Sequence, residues 1–237
     1  MPNIMAIKPE LGVYKRRFIF DSTLALYLPL WHPDLIGSPI ISKDLNAHSC
    51  TVVGATWGLQ GRTFAGGDDY ISVPNHAALN FGTGDFSVGI WFKTSYVAAN
   101  TVLIGKTAKA GFAAGFPGWN LILLSPGIQF LVCDGTEYVT PSYATDHRDG
   151  LWHFLLATWV AATEVASLSV DGAAFTTGTT PNIDSIDNTS SLELGRSLGD
   201  GTPTSFFTGA QGEAWAWNRA LSLGEGQQIR NATRWRY

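Results

Sequence analysis

Gly212-Glu213-Ala214-Trp215-Ala216-Trp217-Asn218-Arg219-Ala220-Leu221-Ser222 reads as a last β-strand running into a short helical tail. Successive side chains of a strand point to opposite faces, so Trp215 and Trp217 share one face while Ala214 and Ala216 share the other. The arrangement points to an all-β sandwich that closes with its last strand, the alanines facing the core.

The same period recurs upstream. From Phe86 to Lys93, Phe86, Val88, Ile90 and Phe92 alternate with Ser87, Gly89, Trp91 and Lys93, and the first set is predicted to face the space between two sheets. Trp152 to Val160 carries buriable residues on both faces, as a mid-sheet strand does. Further strands are predicted at Leu24–Pro29, 51–53, 63–64, Tyr70–Val73, 101–106, 119–124, 128–133, 166–170, 191–194 and 209–217. Turn signals separate them, among them Gly66-Gly67-Asp68-Asp69, Ser125-Pro126-Gly127, Asp149-Gly150 and Asp171-Gly172. Helical periodicity is confined to Leu221–Arg230. The chain divides into an N-terminal arm, residues 1–20, and one sandwich domain, residues 21–237. The arm carries Lys15-Arg16-Arg17 and then Phe18-Ile19-Phe20. It is either a solvated terminus or an extended tether for a neighbouring subunit.

Composition narrows the function classes. Charged residues make up 14% of the 237, against a usual share of about 25%, and with 26 glycines and 9 tryptophans this excludes a disordered chain. A net charge of −4 without a basic run argues against a nucleic-acid partner. No stretch approaches the roughly 20 apolar residues that span a bilayer. Met1–Glu10 lacks the basic start and apolar stretch of a signal peptide. Cys50 and Cys133 lie in strand-like runs and read as buried free thiols, a single disulfide being the alternative.

Several segments, in order, carry a family likeness. Ser42-Lys43-Asp44 with Val53-Gly54-Ala55-Thr56-Trp57 is the first. Gly61-Arg62-Thr63-Phe64-Ala65-Gly66-Gly67-Asp68-Asp69-Tyr70 is the second, with Ala65 where an aspartate is usual. Asp85-Phe86-Ser87-Val88, Asp149-Gly150-Leu151-Trp152-His153, Ser169-Val170-Asp171-Gly172, Leu194-Gly195-Arg196 and Asn218-Arg219-Ala220-Leu221-Ser222 complete the set. From Leu24 to Arg230 the chain resembles the laminin G-like, concanavalin A-like jelly rolls of bacterial and viral type. The resemblance implies a two-sheet antiparallel jelly-roll sandwich and leaves function open, because the fold hosts unrelated roles.

Concanavalin-like glycanases carry a Glu-x-Asp-x-x-Glu pattern on one strand, and Glu164, Glu193 and Glu213 each stand without it. No Gly-x-Ser-x-Gly elbow or His-Glu-x-x-His pair occurs, and His153 reads as a strand histidine hydrogen-bonded at a sheet edge. The resemblance suggests a structural calcium joining an early hairpin to the last strand, which would use Asp68 or Asp69 with Glu213. Flat aromatic faces suited to stacking on sugar rings are offered by Trp91, Trp119, Trp159, Trp215 and Trp217, with core packing as the competing role, favoured for Trp91 and Trp159. Trp215 and Trp217 are expected under the arm, under a neighbouring subunit, or exposed as a binding patch.

The expected function is a non-catalytic, lectin-like binding or adhesion module, favoured as a phage virion decoration or fibre protein with subunit contacts through the arm. A secreted or surface carbohydrate-binding protein is the alternative, and a glycoside hydrolase with an atypical carboxylate pair the third reading.

Overall fold

A computed structural model of the chain describes residues 21–97, 100–107, 115–199 and 202–237. The expected N-terminal arm, residues 1–20, lies outside the described residues.

The strands are β1 (Leu24–Pro29), β2 (Ile40–Ile41), β3 (Ser49–Val53), β4 (Thr56–Gly58), β5 (Gly61–Ala65), β6 (Tyr70–Val73), β7 (Phe86–Lys93), β8 (Thr101–Thr107), β9 (Pro117–Leu123), β10 (Ile128–Asp134), β11 (Tyr138–Val139), β12 (Ser142–Tyr143), β13 (Trp152–Val160), β14 (Val165–Val170), β15 (Thr176–Thr179), β16 (Leu192–Leu194), β17 (Ser197–Gly199), β18 (Thr202–Thr204) and β19 (Thr208–Trp217), followed by helix α1 (Leu223–Thr233). Apart from β17 and β18, which pair with each other as a separate ribbon, they build two antiparallel sheets. The first runs β15-β14-β13-β7-β19-β5-β4, with β1 also paired to β19; the second runs β11-β10-β9-β8-β16-β6-β3-β2, with β12 paired to β10.

The last strand is the keystone of the first sheet. One side of β19 pairs along β7, with an irregularity between Gln211 and Ala214. On the other side Thr208–Gln211 pairs with β5 and Glu213–Trp217 with β1. At the irregularity Gln211 points inward, and its Nε2 donates to the Leu103 carbonyl of the second sheet at 2.8 Å. A fully buried amide without such a partner would cost on the order of 1–3 kcal/mol, so this bond fixes how the sheets face each other.

Between the sheets lies the main core. Phe86, Val88, Ile90 and Phe92 enter it from β7, as their alternation predicts, and Ala214 and Ala216 enter it from β19. Cys50 belongs to this core; Cys133 sits in a smaller cluster with Val102, Ile122 and Leu131, and both thiols are free.

A second apolar layer covers the outer face of the first sheet. Leu24, Tyr27, Trp91, Phe154, Leu156, Trp215 and Trp217 form its base, and Leu221, Ile229 and Tyr237 of the C-terminal segment roof it. Tyr27, Trp215 and Trp217 stack in sequence, their centroids 5.7 and 6.2 Å apart. Trp91 donates from Nε1 to Thr233 Oγ1 of α1 at 2.9 Å. Ser222 caps the helix through a reciprocal bond with Glu225, and Arg219 joins Glu225 to Asp21 at the start of β1.

This layer corrects the expected stacking surface. Trp91, Trp215 and Trp217 are closed off by the chain's own helix and tail, and Trp119 and Trp159 lie in the core between the sheets. All five rings are 2% exposed or less and offer no face to a ligand. The physical reason is that a sheet flanked by a short amphipathic tail buries its large outer residues intramolecularly, at no cost in association entropy.

Gly212 shows how closely the tail is seated. A Cβ at this position would stand 2.4 Å from Tyr237 Oη and 2.6 Å from its ring. Tyr237 Oη in turn accepts the Glu213 N–H at 2.9 Å. Gly212→Ala is therefore expected to lift the tail from the sheet and to cost about 1–3 kcal/mol. Limited proteolysis should release the C-terminal residues sooner than in the wild type; equal resistance would show that the tail is not held by this contact.

Candidate functional site

Beside Tyr237, the described residues leave a groove on the outer face of the first sheet. Four residues in register cross it there: Thr63 of β5 pairs with Ala210 of β19, Ala210 with Lys93 of β7, and Lys93 with Trp152 of β13. Paired residues present their side chains on the same face, so this row forms the floor of a groove. The β4–β5 turn, with Leu59 and Gln60, makes one wall, and Thr94, Ser95 and Gly150 close the far end. The groove holds about 530 Å³.

Small residues keep its floor low. Gly209 lies at φ +147°, and a Cβ there would stand 2.3 Å from the Lys93 carbonyl, so a side chain is barred on both conformational and steric grounds. Trp152 is half-buried and rises from the floor as an aromatic wall. One side of its ring packs on Tyr237, with centroids 4.7 Å apart. Its Nε1 donates to Gln60 Oε1 at 3.4 Å, while Gln60 Nε2 donates to the Arg236 carbonyl at 2.6 Å. The tail thus sets the angle of the exposed ring. Among the described residues that line the groove there is no carboxylate.

A second groove, about 640 Å³, lies across the tail and is lined by Tyr27, Trp31, His32, Asp34, Lys43 and Arg236. Its charges are already matched: Lys43 pairs with Asp34 at 2.7 Å, and Arg236 lies over the Trp31 ring and pairs with Glu213 at 2.8 Å. The first groove has the free polar groups and is the stronger candidate.

A family model described as the concanavalin A-like lectin/glucanases superfamily matches residues 65–225. The chain belongs to this superfamily. No curated protein sequence matches it. Among solved structures it is similar to the binding domain of botulinum neurotoxin serotype D, with TM-score 0.66 and 13% identity over 89% of this chain and 52% of that one. It is similar also to the binding domain of Paraclostridial Mosquitocidal Protein 1, with TM-score 0.64 and 15% identity over 89% and 52%. The CBM40 of the Ruminococcus gnavus IT-sialidase, solved bound to alpha2,3 sialyllactose, aligns with TM-score 0.54 and 15% identity over 63% of this chain and 83% of that one. At these identities the likeness is one of fold, and the chain spans about half the length of the toxin domains.

The calcium arrangement that the superfamily resemblance suggests does not fit the donors present. Asp69 is buried and its Oδ2 accepts the Ala65 N–H at 2.6 Å; Asp68 is exposed at the same turn. Glu213 is buried elsewhere, accepting from Tyr27 Oη and Arg236 Nη1, each at 2.8 Å. Among the described residues no group of three or more His, Cys, Asp and Glu is placed to hold a metal ion. Burial pushes the Glu213 pKa up, and Arg236, Tyr27 and Trp31 only partly offset it. Glycoside hydrolysis by the usual route needs two carboxyl groups flanking the bond. Among the described lining residues, the first groove has none and the second has Asp34 alone.

His153 is a hydrogen-bonded strand histidine as expected, but it lies on β13, between β14 and β7, and not on an edge strand. Its Nδ1 lies 2.7 Å from Asp171 Oδ2 and its Nε2 3.1 Å from Asp149 Oδ1, with Arg230 of α1 3.5 Å from Asp171 and the His147 ring edge-on. Burial disfavours the imidazolium, but Asp171 and Asp149 outweigh it and raise the pKa above the usual value. Burial likewise opposes ionisation of both aspartates, yet hydrogen bonds, His153 among them, bring them below the usual carboxylate value. A raised histidine stabilises fully below about pH 6.5, and the gain is lost as pH rises through the folded value. The lowered aspartates stabilise above about pH 4, and that gain is lost as pH falls through their folded values. The clamp thus contributes most between about pH 4 and 6.5. Melting curves should show a drop in Tm from pH 6 to pH 8 that His153→Gln flattens; parallel profiles for the two proteins would rule the clamp out.

Sequence reasoning missed Trp152, Gln60, Lys93 and Thr63 as a set. A signal was present for Trp152. It opens its strand directly after the Asp149-Gly150 turn. That position puts a large ring at the end of a sheet, where the C-terminal segment packs on one side of it.

Proposed function

We propose that the chain is a non-catalytic, lectin-like module and that the Trp152 groove binds a glycan. The observation that carries this reading is a half-buried tryptophan held at a fixed angle by Tyr237 and Gln60 above a low floor with free polar groups. A flat ring covers the apolar face of a pyranose, while the hydroxyls of Thr63 and Ser95 and the Lys93 ammonium stand where sugar hydroxyls need partners. A groove of this size suits one or two sugar rings. The similarity to toxin binding domains and to a CBM40 supports the reading. On a virion, the setting expected from the sequence, the same groove would serve adhesion to a host surface glycan.

The test is isothermal titration of the full chain with a panel of neutral and acidic oligosaccharides. One site per chain is expected for at least one of them. Absence of binding across the panel would overturn the proposal.

A further inference from the structure

Among the described residues that line the groove, Lys93 is the one with a basic or acidic side chain. We infer that Lys93 makes this site selective for glycans that carry a carboxylate, such as a terminal uronate or sialic acid. The inference rests on the Trp152 groove being the glycan site.

Lys93 is unlike most basic residues described in this chain. Arg148 is paired with Asp146, Arg196 with Glu193, Arg230 with Asp171, Arg236 with Glu213 and Lys43 with Asp34. Lys106 is satisfied by Asn188, and Arg62 by backbone carbonyls. Lys93 is exposed, and among the described residues no carboxylate or carbonyl is bonded to it.

The common reasons for an exposed strand lysine do not apply. Lysines often guard sheet edges against pairing with another chain. Lys93 lies on β7, which is flanked on both sides by β13 and β19. Nor does it belong to a basic field, since the chain carries a net charge of −4. An isolated cation in a carboxylate-free groove of an acidic protein is a local reversal of sign, which selects among ligands by charge.

Geometry places that cation usefully. Lys93 stands between Trp152 and Ala210 on neighbouring strands. Strand neighbours are about 4.8 Å apart. A pyranose stacked on Trp152 therefore projects its ring substituents over Ala210, within reach of a flexible ammonium on the adjacent strand. A carboxylate there gains a hydrogen bond in which both partners are charged, where a hydroxymethyl group offers the ammonium only an uncharged acceptor.

The experiment compares two disaccharides that differ only at the terminal residue, glucuronate against glucose, by titration into the full chain. At low salt the wild type should prefer the glucuronate form about threefold to fivefold, as an exposed ion pair allows. The preference should vanish near 1 M salt, where the screening length falls to about 3 Å. It should disappear in Lys93→Gln and persist in Lys93→Arg. Binding of both sugars with equal affinity, or a preference that ignores salt, would overturn the inference and leave the glycan site standing. Binding of neither, nor of any panel sugar, would remove the site and the inference together. The salt series needs no variant, so a poorly folding substitution does not spare the proposal.

Discussion

Replacing Trp217 with alanine is expected to destabilise the fold strongly, not to empty a binding surface. Trp217 has no exposed surface, pairs with Leu24 on one side and Ser87 on the other, and stacks on Trp215. Deleting a ring so enclosed leaves a cavity that the sheet beneath and the helix above cannot both collapse into. The expected loss is about 3–5 kcal/mol. For a domain whose total stability is on the order of 5–15 kcal/mol, that is a large fraction. At about 2–4 °C per kcal/mol for this size, Tm should fall by roughly 6–20 °C. Trp217→Phe should cost much less. It keeps most of the apolar contact and removes an indole N–H that finds no acceptor among the described residues. Thermal unfolding of both variants checks this. An unchanged midpoint with lost ligand binding would restore the exposed-patch reading of the last strand.

The second large effect is the converse. Trp152→Ala should leave the fold largely intact and remove the ligand. The ring is half-buried, and its contacts are the edge of the tail and Gln60. Its loss should cost the fold about 1 kcal/mol. Loss of the stacking platform should weaken glycan binding by about 2 kcal/mol, or roughly thirtyfold. Trp152→Phe should retain part of the affinity, because it keeps an apolar face while losing the bond that Gln60 uses to hold the angle. Titration of both variants with the best panel sugar reads the difference. Full affinity in Trp152→Ala would move the site elsewhere.

The strands with strong alternation were legible in advance. Leu24–Pro29, Tyr70–Val73, Phe86–Lys93 and Trp152–Val160 stand as predicted to the residue. The short strands Ile40–Ile41, Thr56–Gly58, Tyr138–Val139, Ser142–Tyr143 and Thr176–Thr179 were not anticipated. Most pair at sheet edges, where two to four residues carry too little period to register. The side of the sheet on which Trp215 and Trp217 lie was also readable, because period 2 dictates it. What covers that side was not. A helix of eleven residues with two glycines, Gly224 and Gly226, has a weak pattern, and Gly226 is small because the helix presses on Leu156. The groove was illegible for a related reason. Thr63, Lys93, Trp152 and Ala210 come from four strands spread over some 150 positions, and only strand register brings them into one row. The end signature from Gly212 to Ser222 thus marks the part of the sheet that the chain itself covers, and the Trp152 groove lies beside that cover.

The most direct test uses the 9 tryptophans as reporters. With the indoles labelled with nitrogen-15, each gives one resonance, and single Trp→Phe variants assign them. On titration with the best-binding oligosaccharide, the Trp152 resonance should shift with saturation, while those of Trp91, Trp119, Trp159, Trp215 and Trp217 stay in place. Movement of Trp215 or Trp217 with Trp152 unchanged would contradict the account.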